Sequence, residues 1–258
     1  MSPAAILSSD LAQAAKELRD ADQPFAFGTI VRTVGTTAAK PGAKALLSED
    51  GAIIHGWLGG GCTRGAVKRA AVVALRTGTP QLISIAPEEL LAQRGVSAGD
   101  DVDGTTFASN GCPSKGTVDI FIEPCLPMAQ LVVLGASPVA LALTDLAPQF
   151  HWGTTSMLTK KEMQEQVVVI ATQGRGDLDA LKQALSQKRN YISFVGSTKK
   201  FHVLAEKLEA EGYALEQIDQ VKAPAGLNIG AVTPEEIALS ILAELVSLRR
   251  PVVKPNDG

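Results

Sequence analysis

The sequence reads as an α/β chain: an N-terminal α+β domain over residues 1–127, then a shortened Rossmann-like domain with a parallel sheet over residues 128–258. Three observations predict this. First, Gln130–Leu143 runs from the apolar Leu131-Val132-Val133-Leu134 into Gly135 and then into a helix-like repeat. A strand buried on both faces is a continuous apolar run, and a tight turn into a helix asks for glycine at its first bend. Second, Val167–Thr172 and Asn190–Ser197 repeat the plan, each ending in a polar tip that leads into a helical stretch. Third, Pro124-Cys125-Leu126-Pro127 reads as a linker whose prolines mark a boundary.

In chain order, Ile6, Leu7, Leu11, Ala14, Ala15 and Leu18 fall at helical spacing, with a start near Ser9. Pro24–Gly35 is rich in strand formers, and Thr33–Gly42 is a small, polar loop whose Lys40 is read as solvated. Ala45–Leu47 and Gly51–Trp57 form a hairpin through Asp50-Gly51. Pro80–Ala86 is a strand and Glu88–Arg94 a short helix. Val96–Phe107 is acidic and polar and reads as a solvated loop. Its Asp100, Asp101 and Asp103 lack the ligand spacing of a calcium loop. Thr117–Pro124 alternates as a strand.

Two loops of this half carry chemistry. In Gly59-Gly60-Gly61-Cys62-Thr63-Arg64 the glycines let a backbone approach a ligand closely. The helix that follows would aim its free amides at that ligand. Cys62 would then sit near a helix N-terminus, where a thiolate is stabilised, with Arg64 adding positive charge. The bland alternative is a tight turn with a small buried cysteine. The second loop is Gly111-Cys112-Pro113-Ser114-Lys115-Gly116, where Lys115 would lower the Cys112 pKa if the two are close.

In the second half, Gly135, Ser137 and Ala140 stand where a dinucleotide fingerprint has three glycines. Ala140 preserves close helix packing, whereas Ser137 fills the space that a pyrophosphate would occupy. Gly153–Gln166 shows no strand with a ribose-holding acid at its end, so the second βα unit reads as shortened or missing. Gln173–Asp177 is a loop at a strand's carboxyl end, with Asp177 as the expected cap of the next helix. Thr233-Pro234-Glu235-Glu236 is a capping box that opens the last helix.

Composition narrows the function. A net charge of −3 with 4% aromatic residues and no basic run argues against nucleic acid. No apolar stretch has the length of a membrane span, and the N-terminus lacks the basic start and apolar core of a signal peptide. The expected location is the cytoplasm. Three cysteines, Cys62, Cys112 and Cys125, argue against a disulfide framework. The histidines, His55, His151 and His202, follow no motif.

Several blocks, in this order, resemble the XdhC/CoxI family, the maturation factors of molybdenum hydroxylases. They are Gly59–Cys62, Gly111–Gly116 with Asp119–Pro124, Ala171–Asp177, Phe194–Lys200 and Ala223–Ala238. The resemblance implies a non-catalytic chaperone. Such a protein binds molybdopterin or molybdopterin cytosine dinucleotide, shields it and supports its sulfuration by a cysteine desulfurase. It then passes the cofactor to the large subunit of a xanthine dehydrogenase-like or CO dehydrogenase-like enzyme. The implied cofactor-binding residues are Gly59, Gly60, Gly61, Cys62, Gly111, Cys112, Ser114, Lys115, Gly135, Ser137, Thr172, Gly174, Arg175, Gly196, Ser197, Gly226 and Asn228. Cys62 and Cys112 are the soft ligands that a molybdenum centre would accept, and a homodimer is expected.

Two other readings stand beside it. One is an NAD(P)-dependent oxidoreductase on the Rossmann half, weakened by the substituted fingerprint and the missing ribose acid. The other is a binding module whose degenerate Rossmann half serves as a partner surface.

Overall fold

Strand β1 (Phe25–Val34) begins the N-terminal sheet, followed by β2 (Lys44–Leu47) and β3 (Ile53–Gly56) in the expected hairpin. The structure, a computed structural model, describes residues 9–110, 116–159, 164–187 and 191–249. The chain divides into two compact units, Met1–Pro127 and Met128–Gly258.

The first unit continues with α2 (Gly61–Thr77), β4 (Gln81–Ala86), α3 (Glu88–Gln93), β5 (Asp101–Val102), β6 (Thr105–Ser109) and β7 (Thr117–Cys125). Together the strands make a mixed 7-stranded sheet in the order β3-β2-β1-β7-β4-β6-β5. Helix α2 packs over β7, β4 and β1, burying Val67, Ala71, Ala74 and Leu75. The first helix, α1 (Ser9–Asp20), closes a smaller cluster with its Leu11 and Ala15 against Phe25 and Leu46. Fully burying a side chain of the Leu or Phe class contributes roughly 1.5–3 kcal/mol, so this short helix is held mainly by packing.

Two expectations change here. Val96–Phe107 is not a plain loop: β5 and β6 form a hairpin, and β6 runs parallel to β4. The turn residues Asp103 and Gly104 have φ of 51° and 73°, as a two-residue hairpin turn requires. The acidic composition hid strands as short as two residues. Cys125, read as part of a linker, ends β7 and packs against the α1 cluster. Burial pushes its thiol pKa up, and the Glu123 charge adds to the shift. That is an inert cysteine rather than a reactive one.

The second unit is a doubly wound sheet. Its elements are β8 (Gln130–Leu134), α4 (Pro138–Leu146), β9 (Gly153–Thr155), β10 (Gln166–Ile170), α5 (Asp177–Leu185), β11 (Ile192–Phe194), α6 (Thr198–Ala210), α7 (Leu215–Ile218), β12 (Val221–Lys222) and α8 (Pro234–Arg249). All five strands are parallel, in the order β12-β11-β10-β8-β9. The side-chain period of two sorts the core into layers. Leu131, Val133, Val167 and Val169 meet α4 and α8. Val132, Leu134, Val168 and Ile170 meet α5 and α6. Burial on both faces explains why these strands read as unbroken apolar runs.

The second strand, expected to be shortened or missing, is present as β9 at the sheet edge, pairing Gln130↔Gly153 through Val132↔Thr155. It spans only 3 residues and carries no apolar run. Trp152, 1% exposed, anchors its start in the core, and the Arg249 guanidinium lies 3.4 Å from the centroid of the Trp152 ring. The chain enters β9 on one side of β8 and reappears as β10 on the other, so the topological switch lies between β8 and β10. Open α/β sheets bind ligands outside the strand carboxyl ends at such a point.

Candidate functional site

At the tip of β8, Gly135 has φ of 126°, and a Cβ placed there would lie 2.3 Å from the Ala171 carbonyl oxygen. Only glycine fits, and the reason is the close approach of β8 to β10. Ser137 caps α4: its hydroxyl accepts from the Ala140 amide at 3.2 Å, while its own amide donates to Ala171 O at 3.2 Å. Pro138 has no amide hydrogen to offer. The Ala140 and Leu141 amides are therefore both taken by Ser137, which is 6% exposed. A pyrophosphate would have to compete with that cap. The strand that should end in a ribose-holding acid closes instead in Thr154-Thr155-Ser156.

The β10 tip is shaped by left-handed residues: Gln173, Gly174 and Gly176 have φ of 52°, 91° and 84°. Non-glycine residues adopt such angles rarely, and they cluster at functional sites. Asp177 was expected to cap α5, but Gly176 holds the cap position. The Asp177 carboxylate reaches back to the loop, accepting from the Gly174 amide at 3.1 Å and from the Thr172 hydroxyl. Lys200 Nζ, from α6 beyond β11, completes the set at 2.5 Å and stands 5.3 Å from the Phe194 ring centroid. Burial acts to raise the Asp177 pKa, but Lys200, Thr172 and Gly174 outweigh it and hold the carboxyl below its ordinary value. Thr172 and Gly174 are thus organised by this acid, and Arg175 is left exposed.

At the β11 tip, Ser197 caps α6 by accepting from the Lys200 amide at 3.2 Å. Gly196 is demanded by Phe194, whose ring would lie 2.4 Å from an added Cβ. After β12, the loop through Gly226 and Asn228 follows a cis Ala223-Pro224 bond. Gly226, at φ 89°, packs against Ser240 of α8. Its amide donates to Glu244 at 2.9 Å, the Tyr191 hydroxyl donates to the same carboxylate at 2.7 Å, and Lys222 pairs with it. Glu244 is 6% exposed. Sequence reasoning missed it, although an acid inside Ile241-Leu242-Ala243-Glu244-Leu245 is itself a signal, since an acid is rarely buried without partners.

The structure therefore gathers Gly135, Ser137, Thr172, Gly174, Arg175, Gly196, Ser197, Gly226 and Asn228 on loops at the carboxyl edge of one parallel sheet. The glycine triplet belongs to the first unit. Gly60 is the N-cap of α2 and supplies no side-chain hydrogen bond; the Thr63 amide donates to the Gly60 carbonyl at 3.2 Å, and the Gly61 amide before it is one that a helix leaves for an outside acceptor. Around Gly60 and Gly61 nothing lies within 4 Å of an added Cβ, and neither residue has a positive φ. Packing thus gives no reason for glycine at these positions. Cys62 lies in the first turn of α2. Gly111, Cys112, Ser114 and Lys115 lie outside the described residues. On the flanks of that segment, the Asn110 Nδ2 donates to Gly116 O at 3.0 Å, while Asn110 Oδ1 and Thr117 Oγ1 are buried without a partner among the described residues. Among the described residues no group of three or more His, Cys, Asp or Glu is placed to hold a metal, and no helix is long and apolar enough to cross a membrane.

Comparison with known proteins fits this two-unit layout. Residues 18–86 match the model of the XdhC and CoxI family, and residues 131–245 match that of the XdhC Rossmann domain. The chain belongs to the XdhC/CoxI family. The chain is similar to the uncharacterized protein YqeB of Escherichia coli (strain K12), 27% identical over 91% of this chain and 45% of that protein. The molybdenum cofactor insertion chaperone PaoD of the same organism is 26% identical over 51% of this chain and 42% of its own length. A probable xanthine dehydrogenase subunit of Bacillus subtilis (strain 168) is 26% identical over 53% of this chain and 48% of that protein. The chain spans under half the length of these relatives. The XdhC Rossmann match takes in the β8, β10, β11 and β12 tips described above.

Proposed function

We propose that this chain is a carrier for the molybdenum cofactor, as molybdopterin or its cytosine dinucleotide, and serves the maturation of a xanthine dehydrogenase-type molybdoenzyme. The cofactor is cargo, held and delivered rather than turned over. The observation that carries the reading is the start of α2, where Gly60 and Gly61 leave open space at a helix N-terminus that has no side-chain cap. Such a terminus accepts a phosphate, and a thiolate in the same turn is a soft donor suited to a molybdenum centre. Cys62 stands in that turn, and Cys112 is proposed as its counterpart. Membership of the XdhC/CoxI family and the name of the PaoD relative support the same role. The strand tips of the second unit, from Gly135 and Thr172 to Gly226 and Asn228, are likewise proposed as cofactor-binding positions. The self-capped α4 and the Thr155 strand end support carriage over hydride transfer. The proposed partners are the large subunit of the target enzyme, a cysteine desulfurase that sulfurates the bound cofactor and a second copy of the chain. The proposed location is the cytoplasm.

Titration of the purified protein with molybdopterin, CTP and NAD tests this. Saturable molybdopterin binding that weakens in Cys62→Ser or Cys112→Ser is expected. Unchanged affinity in both variants would remove the thiols from the proposal. Saturable NAD binding without pterin binding would replace it with the oxidoreductase reading.

A further inference from the structure

We propose that the first unit carries a separate binding site for a small organic anion with a flat apolar body, in the cleft between α2 and the β4–β6 pair. The cavity measures about 430 Å³, within the range of small-molecule pockets, roughly 300–1,000 Å³. One wall is a single face of α2: Ala66, Arg69, Ala70 and Val73, spaced i, i+3, i+4 and i+7, with Ile83 and Ala108 across from them. The neighbouring face of the same helix buries Val67, Ala71 and Ala74 in the core. Apart from Arg69, the cleft face presents small side chains, so the space is left open.

Charge decides what the space suits. Arg69 is the only ionisable residue among those that line it. The guanidinium has no carboxylate partner among the described residues. The guanidinium lies back over Gly65, one helical turn earlier, with Nη1 3.5 Å from where a Cβ on that residue would stand, an ordinary contact. Asp101 is not part of the lining and is bonded to the Thr106 hydroxyl at 3.2 Å. A slot lined by apolar side chains together with Gln81 and Thr106, and holding one guanidinium, is complementary to an aromatic or heterocyclic carboxylate, phosphate or sulfonate. Ser109, at the end of the cleft, adds a hydroxyl that can bond a polar edge of the ligand. This site uses none of the strand-tip residues and does not depend on the cofactor proposal.

Fluorescence titration of the full chain tests it, using 8-anilinonaphthalene-1-sulfonate as an anionic probe and N-phenyl-1-naphthylamine as its neutral counterpart. Saturable binding of one equivalent of each is expected. Arg69→Met, at an exposed position, should weaken the sulfonate about tenfold, the value of one lost charge-assisted contact, and leave the amine unchanged. Ala70→Leu should fill the slot and abolish binding of both. If Ala70→Leu fails to fold, the selective loss in Arg69→Met still decides the matter. Sulfonate affinity unchanged in Arg69→Met, or lost equally with that of the neutral probe, overturns the proposal.

Discussion

The amide of Gly226 donates to a carboxylate oxygen of Glu244 across 2.9 Å, tying the loop after β12 to a buried acid in α8. The same carboxylate accepts from the Tyr191 hydroxyl and pairs with Lys222. In Glu244→Leu the Lys222 ammonium can turn to water, because its side chain is 41% exposed. The Gly226 amide and the Tyr191 hydroxyl would lose a charged acceptor at about 1.5–3 kcal/mol each. The expected loss is about 3 kcal/mol, read as a fall of about 10 °C in the melting temperature by calorimetry. A shift under about 2 °C would show that the loop holds without its clamp.

Asp177 predicts a pH dependence. Its folded pKa lies below the ordinary carboxylate value despite burial, because Lys200, Thr172 and Gly174 favour the charged form. The stabilisation is therefore fully present above the ordinary value, about pH 4, and is lost as pH falls through the folded value. Urea unfolding across this acid range should show a shallower decline for Asp177→Asn than for the parent chain. Parallel declines would mean that Asp177 does not couple to folding.

Gly135→Ala meets two obstacles at once. The φ of 126° suits only glycine, and the atom in the way is a backbone carbonyl oxygen, that of Ala171 at 2.3 Å. Because β8 and β10 are joined there through Ala171 N and Leu134 O at 2.7 Å, relief would need strand separation. A loss of about 3 kcal/mol or more is expected by urea denaturation.

The Thr117 hydroxyl is buried, with no hydrogen-bond partner among the described residues, and desolvation of such a group is uncompensated. Thr117→Val keeps the shape and removes the polar atom. Stability should rise by about 1 kcal/mol, seen as a higher urea midpoint with an unchanged slope. A fall would point to a bound water or ligand on Thr117 Oγ1.

How far the fold was legible follows from which signals are local. Val167–Ile170 is apolar because it is buried on both faces, and its strand shows in four residues of sequence. The last helix shows equally well: Thr233 and Glu236 form the reciprocal cap, with bonds of 3.2 and 3.0 Å. By contrast, β9 and β5 are 3 and 2 residues long. They exist because a neighbouring strand offers its edge, which no local pattern records. Glu244 was hidden for a related reason. Its partners Gly226, Lys222 and Tyr191 lie 18, 22 and 53 residues away, so its role appears only after folding. The glycines at the strand tips were visible, but not the different demands behind them.

Those demands separate structural glycines from functional ones, and Gly61→Ala uses the difference. Gly61 opens α2 with nothing within 4 Å of an added Cβ. Alanine at a compatible helical position stabilises by about 0.5–1 kcal/mol through the unfolded chain and helix propensity. The melting temperature of Gly61→Ala should therefore stay level or rise. If the first turn of α2 is where cargo approaches the backbone, the added methyl group occupies that approach, and molybdopterin affinity should fall roughly tenfold, equal to a loss of about 1.4 kcal/mol. The paired measurement is informative because the two effects run in opposite directions. A more stable protein that binds less cofactor has no explanation in folding. A variant that binds as well as the parent would place the cargo elsewhere.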